Sequence, residues 1–143
     1  MAANKDILEH YVELYNEGDV AACMELYADD AVQVMHDGVF EGREAIEERL
    51  SRDLITFPDI TYTVVSFFEQ GDRFADEFVV VGTQPGPFPR PDGTEIPPTG
   101  RRVEIRGMEF VEVRGGKIVV DNLYYDSLAM LAQLGLVPLG ATA

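Results

Sequence analysis

Residues 101–114 carry the first sign of chemistry. Side chains alternate across a strand, and here Val103, Ile105, Val111 and Val113 share a face with Glu109, while Arg102, Glu104, Arg106, Glu112 and Arg114 fall on the other. Glu109 is thus a carboxyl group in an apolar row, a setting that disfavours its charged form and raises its pKa. Such a group either carries a proton in a cavity or pairs with an arginine that balances its burial. Asp126 follows the next run, Lys117–Tyr125, and precedes an apolar segment, Ser127–Leu136. It can cap a helix there, or project from the strand end into a cavity as a general base. The two uses compete for the same carboxylate.

Other residues could support such a site. Phe74, Phe78, Val80, Gly82 and Gln84 share a face, so Phe78 reads as apolar wall and Gln84 as a polar contact at a pocket rim. Tyr11 lies in an apolar stripe, where a buried phenol needs a hydrogen-bond partner. Asn122 and Tyr124 alternate with Asp121 and Leu123, and parity alone does not choose which pair faces inward. His36, beside Asp37-Gly38, reads as a turn residue ahead of a catalyst, and Met35 as core. Cys23 has no partner for a disulfide, and with only His10 and His36 available a Cys/His zinc site is not expected. The phosphate-loop, nucleophile-elbow and dinucleotide fingerprints are missing, so neither metal nor cofactor is expected.

Helices and strands must position these groups. Ile7, Leu8, Tyr11, Val12, Leu14 and Tyr15 recur at helical spacing between Asn4 and Glu17, ended by Gly18. Asp19 caps a second, shorter helix in which Val20, Cys23, Met24 and Tyr27 share a face. Ala31–His36 reads as a strand, Phe40 closes a short return, and a third helix runs from Gly42 to about Leu54, before Pro58. Ile60–Glu69, Phe74–Thr83, Arg101–Arg114 and Lys117–Tyr125 are β-branched and aromatic runs, joined by turns at Gly71-Asp72 and Gly115-Gly116. Helices first and long strands afterwards predict an α+β domain with helices covering a curved antiparallel sheet. Between Gln84 and Arg101, a Pro-rich stretch with Phe88 and Ile96 is either a restrained hairpin connection or a lid over a pocket.

The 143 residues suit one domain, residues 1–143, with 46% hydrophobic and 26% charged residues in an ordinary globular balance. The net charge of -15 argues against binding nucleic acid or an anionic membrane surface, both of which call for Lys and Arg. Most of that charge is in residues 1–70, with 16 acidic and 4 basic side chains against 10 and 7 in the remainder. Neither a membrane-length apolar run nor a signal-like start is present, so a cytoplasmic location is the expectation.

Tyr11-Val12-Glu13-Leu14-Tyr15-Asn16-Glu17-Gly18-Asp19, Leu26–Val32 and Phe40–Ile46 together resemble the N-terminal half of the nuclear transport factor 2-like superfamily, which includes ketosteroid isomerase. Pro97–Arg101, Gly116–Val119 and Tyr125–Pro138 resemble its SnoaL-like polyketide cyclases. The resemblance implies a conical α+β barrel, a deep apolar cavity and a homodimer; Met108 and Phe110 on the charged strand face suit an interface core. It implies that Tyr11 and Glu109 occupy oxyanion-hole positions and that Asp126 is the general base of a cyclase. Met35 falls where the isomerases place their base, which disfavours their route, and Gln84 stands where many SnoaL-like sequences have histidine.

The expected function is cofactor-free acid–base chemistry on a hydrophobic carbonyl compound, by intramolecular aldol closure or isomerisation through an enolate. Asp126, Glu109 and Tyr11 would be catalytic, and Gln84, Asn122, Tyr124, Phe78, Phe88 and His36 would contact substrate. The alternatives are a hydrolase or dehydratase of the same superfamily and a non-catalytic module that holds a small ligand.

Overall fold

The computed structural model describes residues 3–90 and 92–137, apart from the side chains of Phe88 and Pro89. Its elements are α1 (Asn4–Glu17), α2 (Val20–Met24), β1 (Tyr27–Met35), β2 (Gly38–Glu41), α3 (Arg43–Thr56), β3 (Thr61–Gln70), β4 (Arg73–Thr83), β5 (Phe88–Pro89), β6 (Glu95–Ile96), β7 (Arg102–Arg114), β8 (Lys117–Tyr125) and α4 (Ser127–Gln133). Six strands form one sheet in the order β2-β1-β8-β7-β4-β3. Every pairing is antiparallel except β1 with β8, which makes the sheet mixed.

The apolar stripe of α1 buries Ile7, Leu8, Tyr11 and Tyr15 against the sheet, and α3 adds Ile46 and Leu50. Burying side chains of this kind contributes about 1.5–3 kcal/mol each, before the entropy of ordering them. A smaller apolar cluster of Phe57, Val103, Ile105, Met130 and Leu134 packs α4 onto β7. At the β7–β8 hairpin Gly115 and Gly116 both take positive φ, 60° and 79°, a turn whose twist matches the flanking strands. Register shifts between Val64 and Ser66 and between Glu112 and Val113 interrupt the ladders, and irregularities of this kind bend a strand.

One expectation is revised. Tyr27 does not extend the face of the second helix; it opens β1, which begins four residues before Ala31, and its ring is buried. Within the stretch from Gln84 to Arg101 two short strands, β5 and β6, pair as a hairpin, Phe88 against Ile96 and Pro89 against Glu95.

Candidate active site

A cavity of about 90 Å3, open at its mouth, lies between the sheet and helices α1, α3 and α4. Its wall is mainly aromatic, with Tyr11, Tyr15, Tyr62, Phe78, Phe57 and Tyr125. Tyr62 stacks on Phe78 at 4.6 Å between ring centroids and meets Tyr11 and Tyr15 edge-on. Gly107 permits this packing, because a Cβ there would run into the Phe78 ring and come 2.5 Å from the Tyr124 carbonyl.

Glu109 is the carboxyl on the cavity's sheet wall, and only 5% of it is exposed. Burial pushes it well above the usual carboxylate range, Asp121 and Asp76 push it further, and Arg49 opposes them. Tyr11 also lines the cavity, and burial, with help from Tyr27 and Glu109, raises its phenol so that it stays a donor. Among the described residues the Tyr11 hydroxyl takes part in no hydrogen bond, contrary to the bonded phenol expected of its stripe.

A polar network backs the cavity. Arg49 donates from Nε to Gln33 Oε1 at 2.5 Å and from Nη1 to Asp53 Oδ2 at 3.3 Å, and Asp53 Oδ2 also accepts from the Tyr15 hydroxyl at 3.1 Å. Gln33 in turn donates to Asp121 Oδ2 at 3.0 Å, which the Tyr27 hydroxyl also approaches, at 3.3 Å. Tyr62 donates to Asp76 Oδ2 at 2.5 Å. Burial pushes the Asp76 carboxyl up to about 6, the Tyr62 bond pulls the other way, and Asp121 adds to the rise. Asp121 is likewise raised, by burial first.

Of the residues singled out from the sequence, the structure brings Glu109, Tyr11 and Phe78 together on the cavity wall and places Asp126, Tyr124, Asn122, Gln84 and His36 elsewhere. Asp126 is exposed and caps α4, accepting from the Ala129 N–H at 2.9 Å; it borders a groove on the opposite face of the sheet. Tyr124 is 58% exposed in that same groove, and Asn122 donates to the Phe110 carbonyl. Alternation puts both opposite the buried Asp121 and Leu123. Gln84 is fully buried but clasps a loop: its Nε2 donates to the Gly86 and Pro97 carbonyls and its Oε1 accepts from Thr99. His36 is exposed at the turn after β1, edge-on to Tyr125. Phe88 pairs through its backbone with Ile96, and its side chain lies outside the described residues.

Asp76, Asp121, Arg49, Gln33 and Tyr62 were not among those residues. Asp76 has the same strand parity as Phe74 and Phe78, so the alternation that singles out Glu109 also points to it. Arg49 and Asp53 gave no such signal, because an i, i+4 pair on a charged helix looks like any surface pair.

The family model for the SnoaL-like polyketide cyclases matches residues 5–134. Among solved structures, IdmH of Streptomyces antibioticus, provisionally assigned as a polyketide cyclase, is 31% identical with a TM-score of 0.76, covering 92% of this chain and 97% of its own. AclR of Streptomyces galilaeus, provisionally assigned as a hydroxylase, is 25% identical with a TM-score of 0.80, over 94% of this chain and 85% of its own. A protein of ketosteroid isomerase-like fold from Catenulispora acidiphila, 22% identical over 94% and 96% of the two chains, superposes with a TM-score of 0.78 and shows the fold alone. No curated protein matches.

Proposed function

Because the chain belongs to the SnoaL-like polyketide cyclase family, we propose that it is a cofactor-free acid–base catalyst that enolises a hydrophobic carbonyl compound, and that Glu109 moves the proton. One observation carries this reading: a carboxyl with raised proton affinity stands on the wall of an aromatic cavity that also holds a phenol, Tyr11, without a hydrogen bond among the described residues. In its ionised form Glu109 removes a proton α to the carbonyl, the C–H electron pair moves into the enolate, and Tyr11 hydrogen-bonds the enolate oxygen. The enolate carbon then attacks a second carbonyl of the same molecule, whose oxygen takes up that carbonyl's π pair and then the proton from Glu109, or a conjugated enolate takes the same proton back from Glu109 at another carbon. A high carboxyl pKa helps here, because the ionised form is then a stronger base than an exposed carboxylate. With Asp126 capping α4 outside the cavity, proton transfer falls to Glu109.

The reading is tested with 2-tetralone in D2O, by following deuterium entry at the α carbons by NMR. Wild-type protein is expected to catalyse exchange, and Glu109→Gln to slow it by at least ~10²-fold while ketone binding persists. Equal exchange in the two proteins overturns the assignment. A non-catalytic binding module is the second reading, favoured by Asp126 serving a helix cap; it predicts ketone binding with no exchange in either protein. The two relatives assigned to different chemistries are consistent with a family scaffold that serves several reactions.

The same reading includes a homodimer. Phe68 (79% exposed), Met108, Phe110 and Tyr124 are exposed on the sheet face away from the cavity, in adjacent ladder rows. An apolar patch inside a polar rim suits a second copy. Sedimentation at micromolar concentration is expected to give twice the chain mass, and a monomer mass throughout counts against it.

A further inference from the structure

The reading of Glu109 as the proton carrier leaves two buried acids without a task. Asp76 and Asp121 are each 1% exposed, and each has one oxygen, Oδ1, that is buried with no hydrogen-bond donor among the described residues. Burying a carboxylate oxygen without a partner is costly. The ladder shows what stands next to them. Asp76 is the direct cross-strand partner of Glu109 on β4 and β7, on the same face of the sheet, where Cβ atoms are typically about 4.5–5.5 Å apart. Asp121 pairs with Val111, and Leu123 pairs with Glu109, so Asp121 is Glu109's diagonal neighbour on β8. Glu109 therefore stands between two acids that have acceptor oxygens to fill.

The other groups facing Glu109 come from every packed element. Helix α1 contributes Tyr11 and Tyr15, β1 contributes Tyr27, and β3 contributes Tyr62. From α3 comes Arg49, the cation that acts on it, already engaged with Gln33 and Asp53. One arginine cannot balance Asp53 and three interior carboxyls at once.

We propose that Asp76 and Asp121 are positioning residues for Glu109, and that the three carboxyls form one proton-sharing cluster behind the cavity. Like charges at this spacing cannot all ionise together, so protons are lost from the set in steps that belong to the cluster and not to any one member. The proton on Glu109 is then governed by its neighbours within the sheet as well as by its own burial. The inference rests on the reading of Glu109 as proton carrier, but its test does not depend on turnover.

The test is a pH titration of the side-chain carboxyl carbons in 13C-labelled protein. In the wild type the Glu109 Cδ and the Asp76 and Asp121 Cγ signals are expected to move in more than one step with midpoints in common. Asp76→Asn, which keeps an acceptor for Tyr62, is expected to lower the main Glu109 midpoint by about one pH unit or more, and Asp121→Asn by less. The pH dependence of 2-tetralone exchange should move by the same amount. A single-step Glu109 titration in the wild type, or an unmoved midpoint in folded Asp76→Asn, overturns the cluster. Shared steps in a protein that exchanges no deuterium support the cluster and overturn the proposed function. If neither variant folds, the wild-type titration alone decides.

Discussion

The β7–β8 hairpin and the residue that follows it present two acids in opposite settings. Glu109 points to the helix side of the sheet, among Leu123, Phe78 and the tyrosines, and is all but removed from water. Asp126, one residue past the end of β8, stands in solvent and gives a carboxylate oxygen to the first turn of α4. The Asp126 carboxylate is held by a backbone amide and serves structure; the Glu109 carboxyl, in an aromatic wall, is driven to hold a proton. The two faces of the same sheet thus separate a helix cap from a buried carboxyl with raised proton affinity.

Substitutions break or sharpen that contrast in order of size. The largest effect is expected for Glu109→Gln, at ~10²–10⁴-fold in α-proton exchange, read by NMR. Next comes Arg49→Met, which leaves Asp53 and the interior acids without their cation; an unfolding titration is expected to show a loss of about 3–5 kcal/mol. Smaller is the pH dependence of stability. Glu109, Asp76 and Asp121 have higher pKa values folded than unfolded, so the folded state binds more protons, and the stability this confers is complete below pH ~4 and lost as pH rises through the folded values. For Asp76 the window runs from its ordinary 3.8 to about 6, and Asp76→Asn should remove on the order of 3 kcal/mol of that pH-dependent stability in denaturant titrations at successive pH values. The smallest effect is expected for Asp126→Ala, which loses the cap for about 1 kcal/mol and leaves α-proton exchange unchanged. A ~10²-fold loss of exchange in that variant would return the base to Asp126.

Much of this was legible from residue order. Helical spacing located α1 and alternation found β4 and β7, because one buried face imposes a strict period on each element, while Gly42 and Pro58 bracketed α3 and Gly71-Asp72 and Gly115-Gly116 marked the hairpins. Alternation also found Glu109. It left the faces of β8 undecided, since Asp121 and Asn122 are both polar and only the pairing with β7 shows which one is covered. The role of Gln84 was beyond reach for a different reason. Its partners, Gly86, Pro97 and Thr99, are brought together by the course of a loop, and no periodicity governs a loop.

That clasp has a consequence for how such a scaffold can vary. Gln84 binds both feet of the Pro-rich stretch, and the backbone closes the same seam, Gln84 N–H to the Arg101 carbonyl and Gly100 N–H to the Gln84 carbonyl. The segment beyond Gly86 is further tied to the end of α3, next to the cavity residue Phe57, where Thr56 donates to the Pro87 carbonyl. The described parts of this stretch, β5 and β6 among them, therefore hang from a base fixed at both ends. Ile96, buried to 2% exposure, is a third anchor, so a change at this position is felt in the packing as well as in the loop.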